Sequence, residues 1–347
     1  MNTSNKLLMG IAVMAISFNA QAYPGESIVL DPVTGNYTII YRGDQTSTEL
    51  SQTEFVPSTK VAPSIRSSFR LNEKGSIVYR YTVSNGVAAK QGIVGVVLDQ
   101  IASPIIGELP FPYGSVTQAI IDAYDAALES AIATPTGWHG NISRSLNRIY
   151  WVPNSPMIAG VIPAGRTLSG FGFSSLDLPG VAPSQMDGMG EVFGFSDEGP
   201  LEDSAVFTEL NRLRDNDFIT RPAAVPMVAV PVPFNASVLI DRIQTQMHTW
   251  IAIQLLDATF SSQLDRYLVA AADAYRHNQP KAGKEHIQTL RKLLKKEHED
   301  MGRDEEHESE KSQDKNDDKK PRMIDRLAAR VLDFDLKYVL KRMGGEE

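Results

Sequence analysis

Apolar residues recur at every second position between residues 23 and 202, and at every third or fourth after Phe234. Within residues 75–86, Ile77, Tyr79, Tyr81 and Val83 share one side while Ser76, Arg80 and Thr82 fall on the other. That is the pattern of a half-buried strand, and Asn85-Gly86 supplies a hairpin turn after it. Similar runs span 37–41, after the turn Val33-Thr34-Gly35-Asn36, and 93–98, 148–152 and 167–173. Short strands separated by Gly, Pro and Asn predict an antiparallel β-sandwich. One segment departs from the rhythm: Ser115 caps an expected helix with a stripe of Ala119, Ile120, Ala123, Tyr124, Ala127, Leu128 and Ala131, closed by Pro135 and Gly137.

Beyond Phe234 four helices are predicted. Val238, Leu239, Ile243, Met247 and Trp250 mark the first; Phe260, Leu264, Leu268, Ala271, Ala272 and Tyr275 mark the second, ended by Asn278 and Pro280. Ala282, His286, Ile287, Leu290, Leu293 and Leu294 mark the third, and Ile324, Leu327, Ala328, Val331, Leu332, Leu336 and Val339 the fourth. Each has a single apolar stripe, so none is stable alone and all must share a core. Residues 299–320 hold ten acidic and five basic side chains and almost nothing apolar. Such a stretch cannot offset its ordering entropy and is expected to be a solvated loop. Its length is tolerable, since each doubling of a surface loop costs only about 0.6 kcal/mol.

The fold class expected is therefore α+β in two domains: an antiparallel β-sandwich with one inserted helix over 23–202, then an α-helical bundle over 236–347. Residues 203–235 join them, with four prolines in 221–234 that withhold amide donors and predict an extended connector or an edge strand. The change of period near Phe234 implies two separate interiors.

The phrases TGNYTIIYRG, YRYTVSNG and IPAGRTLSGFGFSSLDLPG resemble immunoglobulin-like sandwiches of secreted bacterial proteins. The C-terminal region resembles the FIVAR/FIMAH-type helical modules of secreted and surface-exposed bacterial proteins. The matching features are Trp250-Ile251; Leu264, Leu268 and Ala271; Asn278; Ala282, Leu290 and Leu294; and Tyr338, over residues 250–341. His277 stands where that family has glycine, and the acidic insertion exceeds its usual turn. The resemblance implies an accessory, association-mediating module and no catalytic residues.

Composition adds a location. Residues 1–22 carry one lysine, an apolar run from Leu7 to Phe18, and Ala20-Gln21-Ala22, as an export signal does. No later run is long enough to cross a bilayer, so the protein is expected in the periplasm or outside the cell, with no transmembrane segment in the mature chain. There is no cysteine, which removes disulfides, thiolate metal sites and cysteine nucleophiles. The formal charge is −8, while residues 281–347 hold 17 Lys/Arg against 17 Asp/Glu, so the acidic excess lies upstream. That balance argues against nucleic acid as a partner.

Candidate chemistry is sparse. Trp138 and Trp151, with His139 between them, either form an aromatic platform for a glycan or fill the sandwich core. Glu285-His286, Glu297-His298 and Glu306-His307 pair carboxylate with imidazole, as zinc or copper sites do, yet their spacing disperses them. Asp314, Asn316, Asp318 and Asp325 imitate a calcium loop, but Lys319 occupies the glycine position and Pro321 the eighth. SGFGFSS lacks the lysine of a phosphate loop, and no Gly-x-Ser-x-Gly elbow occurs. Asp187 and Glu191, and the acids of 197–203, are the carboxylates open to a glycosidase reading. No catalytic residue, cofactor or metal ligand is assigned. The expectation is an exported, non-catalytic binding or interaction protein whose partner is an envelope protein or glycan. The alternatives are a secreted hydrolase acting on glycans or esters and a cation-responsive protein using the acidic loop.

Overall fold

A computed structural model of the chain describes residues 23–44, 46, 48–99, 117–119, 123, 126–127, 131–143, 147–154, 161–189, 191–192, 199–298 and 322–344. The expected leader, Ser115, three residues of the inserted helix's stripe (Ile120, Tyr124 and Leu128) and the 299–320 loop lie outside them. Helical backbone at residues 118–119, 123, 126–127 and 131 falls where that helix is expected, with Ala119 and Ala123 exposed. The architecture is mixed α+β, with three antiparallel sheets and no barrel.

The chain divides into two compact units, residues 1–58 with 190–217 and residues 59–189 with 218–347. In the first, Asp31 shapes a turn by accepting from Val33 N at 2.8 Å and Thr34 Oγ1 at 2.7 Å. Gly35, at φ 68°, completes it. The turn pairs β1 (Ser27–Leu30) with β2 (Tyr37–Tyr41), and β3 (Ser51–Val56) and β12 (Glu191–Val192) extend the sheet in the order β1-β2-β3-β12. One face buries Ile39, Tyr41 and Phe55 against Val206 and Leu210 of α1 (Ala205–Asp215). Ser204 caps that helix, accepting from Phe207 N at 3.0 Å. The Ser58 hydroxyl donates to Asp217 O at 2.6 Å, tying together two of the points where the chain leaves this unit.

The second unit contains two sheets. One runs β4 (Pro63–Leu71), β5 (Ile77–Asn85), β10 (Thr167–Ser175), β7 (Ile132–Ala133); the other runs β13 (Ile219–Val228), β11 (Leu178–Gly188), β6 (Ile93–Leu98), β9 (Arg148–Pro153), β8 (Trp138–Ser143). Their apolar faces meet through aromatic rings. Tyr81 lies 6.1 Å from Trp151, and Phe171 meets Trp151 and Trp138 edge-on at 5.6 and 5.2 Å. The Tyr81 hydroxyl donates to Ala224 O at 2.8 Å, binding β5 to β13. The alternation read at Ile77, Tyr79, Tyr81 and Val83 is present, all four buried. Asn85 forms no hairpin turn. Its buried side chain accepts from Ala62 N at 3.0 Å and donates to Gln91 O at 2.8 Å and Ile162 O at 3.0 Å, joining three chain segments.

The proline-rich stretch is the edge strand β13, and its prolines stand in register with those of β11: Pro179 opposite Pro226 and Pro183 opposite Pro222. The amide of Ala224 donates to Ser67 Oγ on β4 at 3.0 Å, so it points away from β11. Positions 222 and 226 share its parity and lie at sites where no ladder donor is required, which is why this strand tolerates proline. Residues 178–182 and 223–226 are buried without interruption, as strands covered on both faces are.

The helices α2 (Ala236–Ala252), α3 (Ala258–Arg276), α4 (Pro280–Glu297) and α5 (Arg326–Arg342) match the four predicted stripes closely. Asn235, Asp257 and Asp325 cap three of them, and Pro280 opens the fourth, where its missing N–H is not needed. They do not form a separate bundle. The helices α2 and α5 pack on β11 and β13, and Phe334 of α5 meets Phe69 of β4 edge-on at 5.1 Å. A single apolar cluster runs from Trp151 and Phe173 through Val225 to Leu268, Leu290 and Leu336. The expected domain boundary at residues 203–235 and the expectation of two separate interiors are both corrected by this shared core. Period along the chain reports which face of an element is apolar, and two elements of different period can still cover each other.

Leu336 is fully buried in that shared core. Leu336→Ala is expected to lower stability by about 2–5 kcal/mol. Fluorescence of Trp138, Trp151 and Trp250 and the helical circular dichroism should shift to the same new urea midpoint. Separate midpoints would show that helices and sheets unfold independently.

Candidate binding surfaces

The indoles of Trp138 and Trp151 are core, 5% and 0% exposed, so neither presents a face to a glycan. Trp151 Nε1 donates to Ala133 O at 3.1 Å, and Gly140 is required beneath the ring, because a Cβ there would sit 2.9 Å from its Cδ1 and Nε1. His139 is exposed on the opposite side of β8, since successive side chains alternate across a strand. The three expected platform residues are therefore split between the two faces of one sheet, which corrects the platform reading.

The outer face of the five-stranded sheet collects polar groups in rows fixed by register. Gln185, Val97, Tyr150 and Asn141 form one row; beyond it Asp187 pairs with Gly95, and Val152 with His139. Asp187 lies over Gly95, where a Cβ would fall 1.7 Å from its Oδ1. At the end of this face both oxygens of Asp99 are engaged: one pairs with Arg148 Nε and the other accepts from Gln185 Nε2 at 2.6 Å. His139 and Asp187 are separated by two intervening strands, about 14 Å at the usual strand spacing, so they form no dyad. Glu202 is exposed, while the Asp203 carboxylate accepts from Tyr23 Oη at 3.1 Å in the other unit. The side chains of Glu191 and Asp197 lie outside the described residues.

A cleft of about 260 Å³ opens where the α2–α3 corner meets the start of α5. Leu256 and Ile324 form an antiparallel bridge in its wall, flanked by Asp257 N to Met323 O at 2.8 Å and Asp325 N to Leu255 O at 2.7 Å. Its polar lining includes Asp257, Asp325, Arg322 and Arg326. Both carboxylates cap helices: Asp257 Oδ1 accepts from Thr259 N and Phe260 N, and Asp325 Oδ1 from Leu327 N. Asp325, the last position of the imitated calcium loop, has its Oδ1 committed to the α5 amide, and Asp314, Asn316 and Asp318 lie outside the described residues.

The expected Glu-His pairs also disperse. His298 is buried at the end of α4 with Nε2 2.8 Å from Ile324 O, whereas His286 lies part-buried on α4 and His307 falls outside the described residues. Among the described residues, no group of three or more His, Asp or Glu is placed to hold a metal ion. No helix among them is long and apolar enough to cross a membrane. His248 pairs with Asp265 at 2.8 Å, with Gln244 donating to the same carboxylate oxygen, on an exposed surface between α2 and α3. Sequence periodicity gave no sign of this dyad, because its members lie on different helices.

Two features stand out energetically. The first is Asp335, 2% exposed on α5, whose Oδ1 has no hydrogen-bond partner. Burial pushes its carboxyl well above the usual aspartate range. The neighbouring Tyr79, itself raised first by burial and then by the nearby Tyr81 and Asp335, donates its hydroxyl to Asp177 O at 2.8 Å instead. The second is the free edge of β1. Among the described residues that strand pairs with β2 alone; its Val29 and Leu30 are 54% and 50% exposed, and Val33 in the following turn 91%. The amide of Asp31 donates to Asn36 O, so the amide of Val29, two residues earlier, also faces β2, and those of Ile28 and Leu30 point outward.

A carboxyl whose folded pKa is raised holds its proton in the native state after the unfolded chain has lost it. Stability therefore falls as pH rises from about 3.9, the unfolded aspartate value, towards the raised folded value. Asp335→Asn is expected to raise the urea midpoint at neutral pH and flatten that decline. Unfolding curves across a pH series test it, and an unchanged slope would remove Asp335 as its source.

Compared with family models, curated proteins and solved structures, the chain matches none.

Proposed function

We propose that the chain is an exported, non-catalytic binding or interaction protein whose first unit recruits an extended partner segment at β1. The observation that supports this reading is the open strand edge. The outward main-chain amides of Ile28 and Leu30, beside exposed Val29 and Leu30, are what strand addition uses. Neither lysine nor proline guards the strand, whose sequence is SIVL. Main-chain hydrogen bonds would supply affinity, and Val29 and Leu30, on opposite faces of the strand, would supply side-chain selectivity. The export-signal pattern read in residues 1–22 supports a partner in the cell envelope or outside the cell. The two facing sheets of the second unit are read as an immunoglobulin-like sandwich, a scaffold distinct from the first unit's β1 edge.

Leu30→Pro removes an outward donor without touching the β1–β2 ladder. The expected result is loss of a stoichiometric partner from envelope-fraction pull-downs, with the folded state retained by circular dichroism. Retention of that partner by the folded variant would overturn the edge reading.

A further inference from the structure

The helices α4 and α5 run antiparallel: stepping back along α4 from His298 to Arg291 steps forward along α5 from Ile324 to Asp333, by the contacts that join them. The helix α4 carries six Lys/Arg and two Glu over 18 residues, on a chain whose formal charge is −8. Its apolar side, Gly283, Ile287, Leu290 and Leu294, is consumed in the core. The α4 row that faces α5 is spaced by three and four residues: Lys284, Gln288, Arg291 and Lys295. The exposed ridge of α5, buried on most other sides, contributes Lys337 and Lys341.

Among the described residues, one anion lies within this seam, the largely buried Asp333. Asp333 accepts from Arg291 Nε at 2.7 Å and pairs with Lys337 Nζ at 3.0 Å, so it fastens the two helices together and leaves the cations in excess. No described carboxylate forms an ion pair with Lys284, Lys295 or Lys341. The seam is about 27 Å long, from 18 residues at 1.5 Å each. Two helices lying side by side give a flat layer. The large apolar side chains of α4 are turned inward, so the layer has little with which to penetrate a bilayer.

We infer that the α4–α5 seam, centred on Lys284, Arg291, Lys295, Lys337 and Lys341, is a peripheral docking surface for a membrane bearing anionic phospholipid headgroups. A flat array of lysines with no groove suits a planar charged surface better than a single small ligand. Attraction to such a surface is worth about 1 kcal/mol for each lysine near it and is screened by salt. This site lies in the second unit and does not depend on the β1 edge.

The test is sedimentation of residues 23–347 with phosphatidylcholine vesicles that contain or lack phosphatidylglycerol. Binding is expected only with phosphatidylglycerol, weakening steeply as salt rises. Each of Lys284→Gln, Lys295→Gln, Lys337→Gln and Lys341→Gln should reduce partitioning by about fivefold, the factor that corresponds to about 1 kcal/mol. The four Lys→Glu changes together should abolish it. Lys74→Glu with Lys90→Glu, exposed elsewhere in the same unit, should leave it intact, and circular dichroism should show every variant folded. The inference is overturned if no partitioning occurs at low salt or if folded seam variants bind as well as the parent. It is equally overturned if the two control changes are as damaging, or if soluble polyphosphate is captured through the same lysines while vesicles are ignored.

Discussion

The second unit depends on the seating of one helix. The helix α5 buries Ala328, Val331, Leu332, Leu336, Val339 and Leu340 around much of its circumference, so no single neighbour can cover it. A surface helix needs one apolar wall; this one needs several. It finds them in β11 and β13, in α2 and α4, and through Phe334 in Phe69 of β4. Each of these elements is apolar towards α5, and removing the helix would expose them together. That mutual covering is why strands and helices share an interior despite their different periods.

The same seating explains how charge is distributed. Asp335 is carried into the interior by the helix that bears it, with no partner for its Oδ1. Such a carboxyl is tolerable only when protonated, since burying an ion without a partner costs several kcal/mol. Two residues earlier on α5, Asp333 holds Arg291 and Lys337, so about half a helical turn separates an unpartnered buried acid from a bridging one. Because the apolar faces of α4 and α5 are both spent inward, Lys284 and Lys295 of α4 and Lys337 and Lys341 of α5 are left along one outer seam. The binding surface inferred there is a by-product of how the core is closed.

The first unit works by a different constraint. Its core of Ile39, Tyr41, Phe55, Val206 and Leu210 is small, so one helix suffices to cover one face of a four-stranded sheet. Nothing in that packing requires the outer edge of β1 to be covered. The exposed valines and leucine there belong to the edge and not to the core, which is what makes this edge the supporting observation for a binding role.

Much of the secondary structure was legible in the sequence because it is set by nearest neighbours. The four C-terminal helices announce themselves through stripes and caps, with Asn235, Asp257, Pro280 and Asp325 at their starts, and β2, β5, β6, β9 and β10 through alternation or short apolar runs. The strands β11 and β13 were not, or only as an alternative to a connector, because strands covered on both faces lose alternation and their prolines look like breakers until the register shows them at donor-free sites. Asn85 read as a turn residue, although its amide was needed to join three distant segments. Trp138, His139 and Trp151 offered a cluster along the chain that the pleat of β8 divides, sending the indole of Trp138 inward and the imidazole outward. Sequence by itself determined which residues prefer to be buried and with what local period. Tertiary structure alone decided what buries them, because one apolar face is as well satisfied by a helix as by a sheet, and only the assembled layers select between the two.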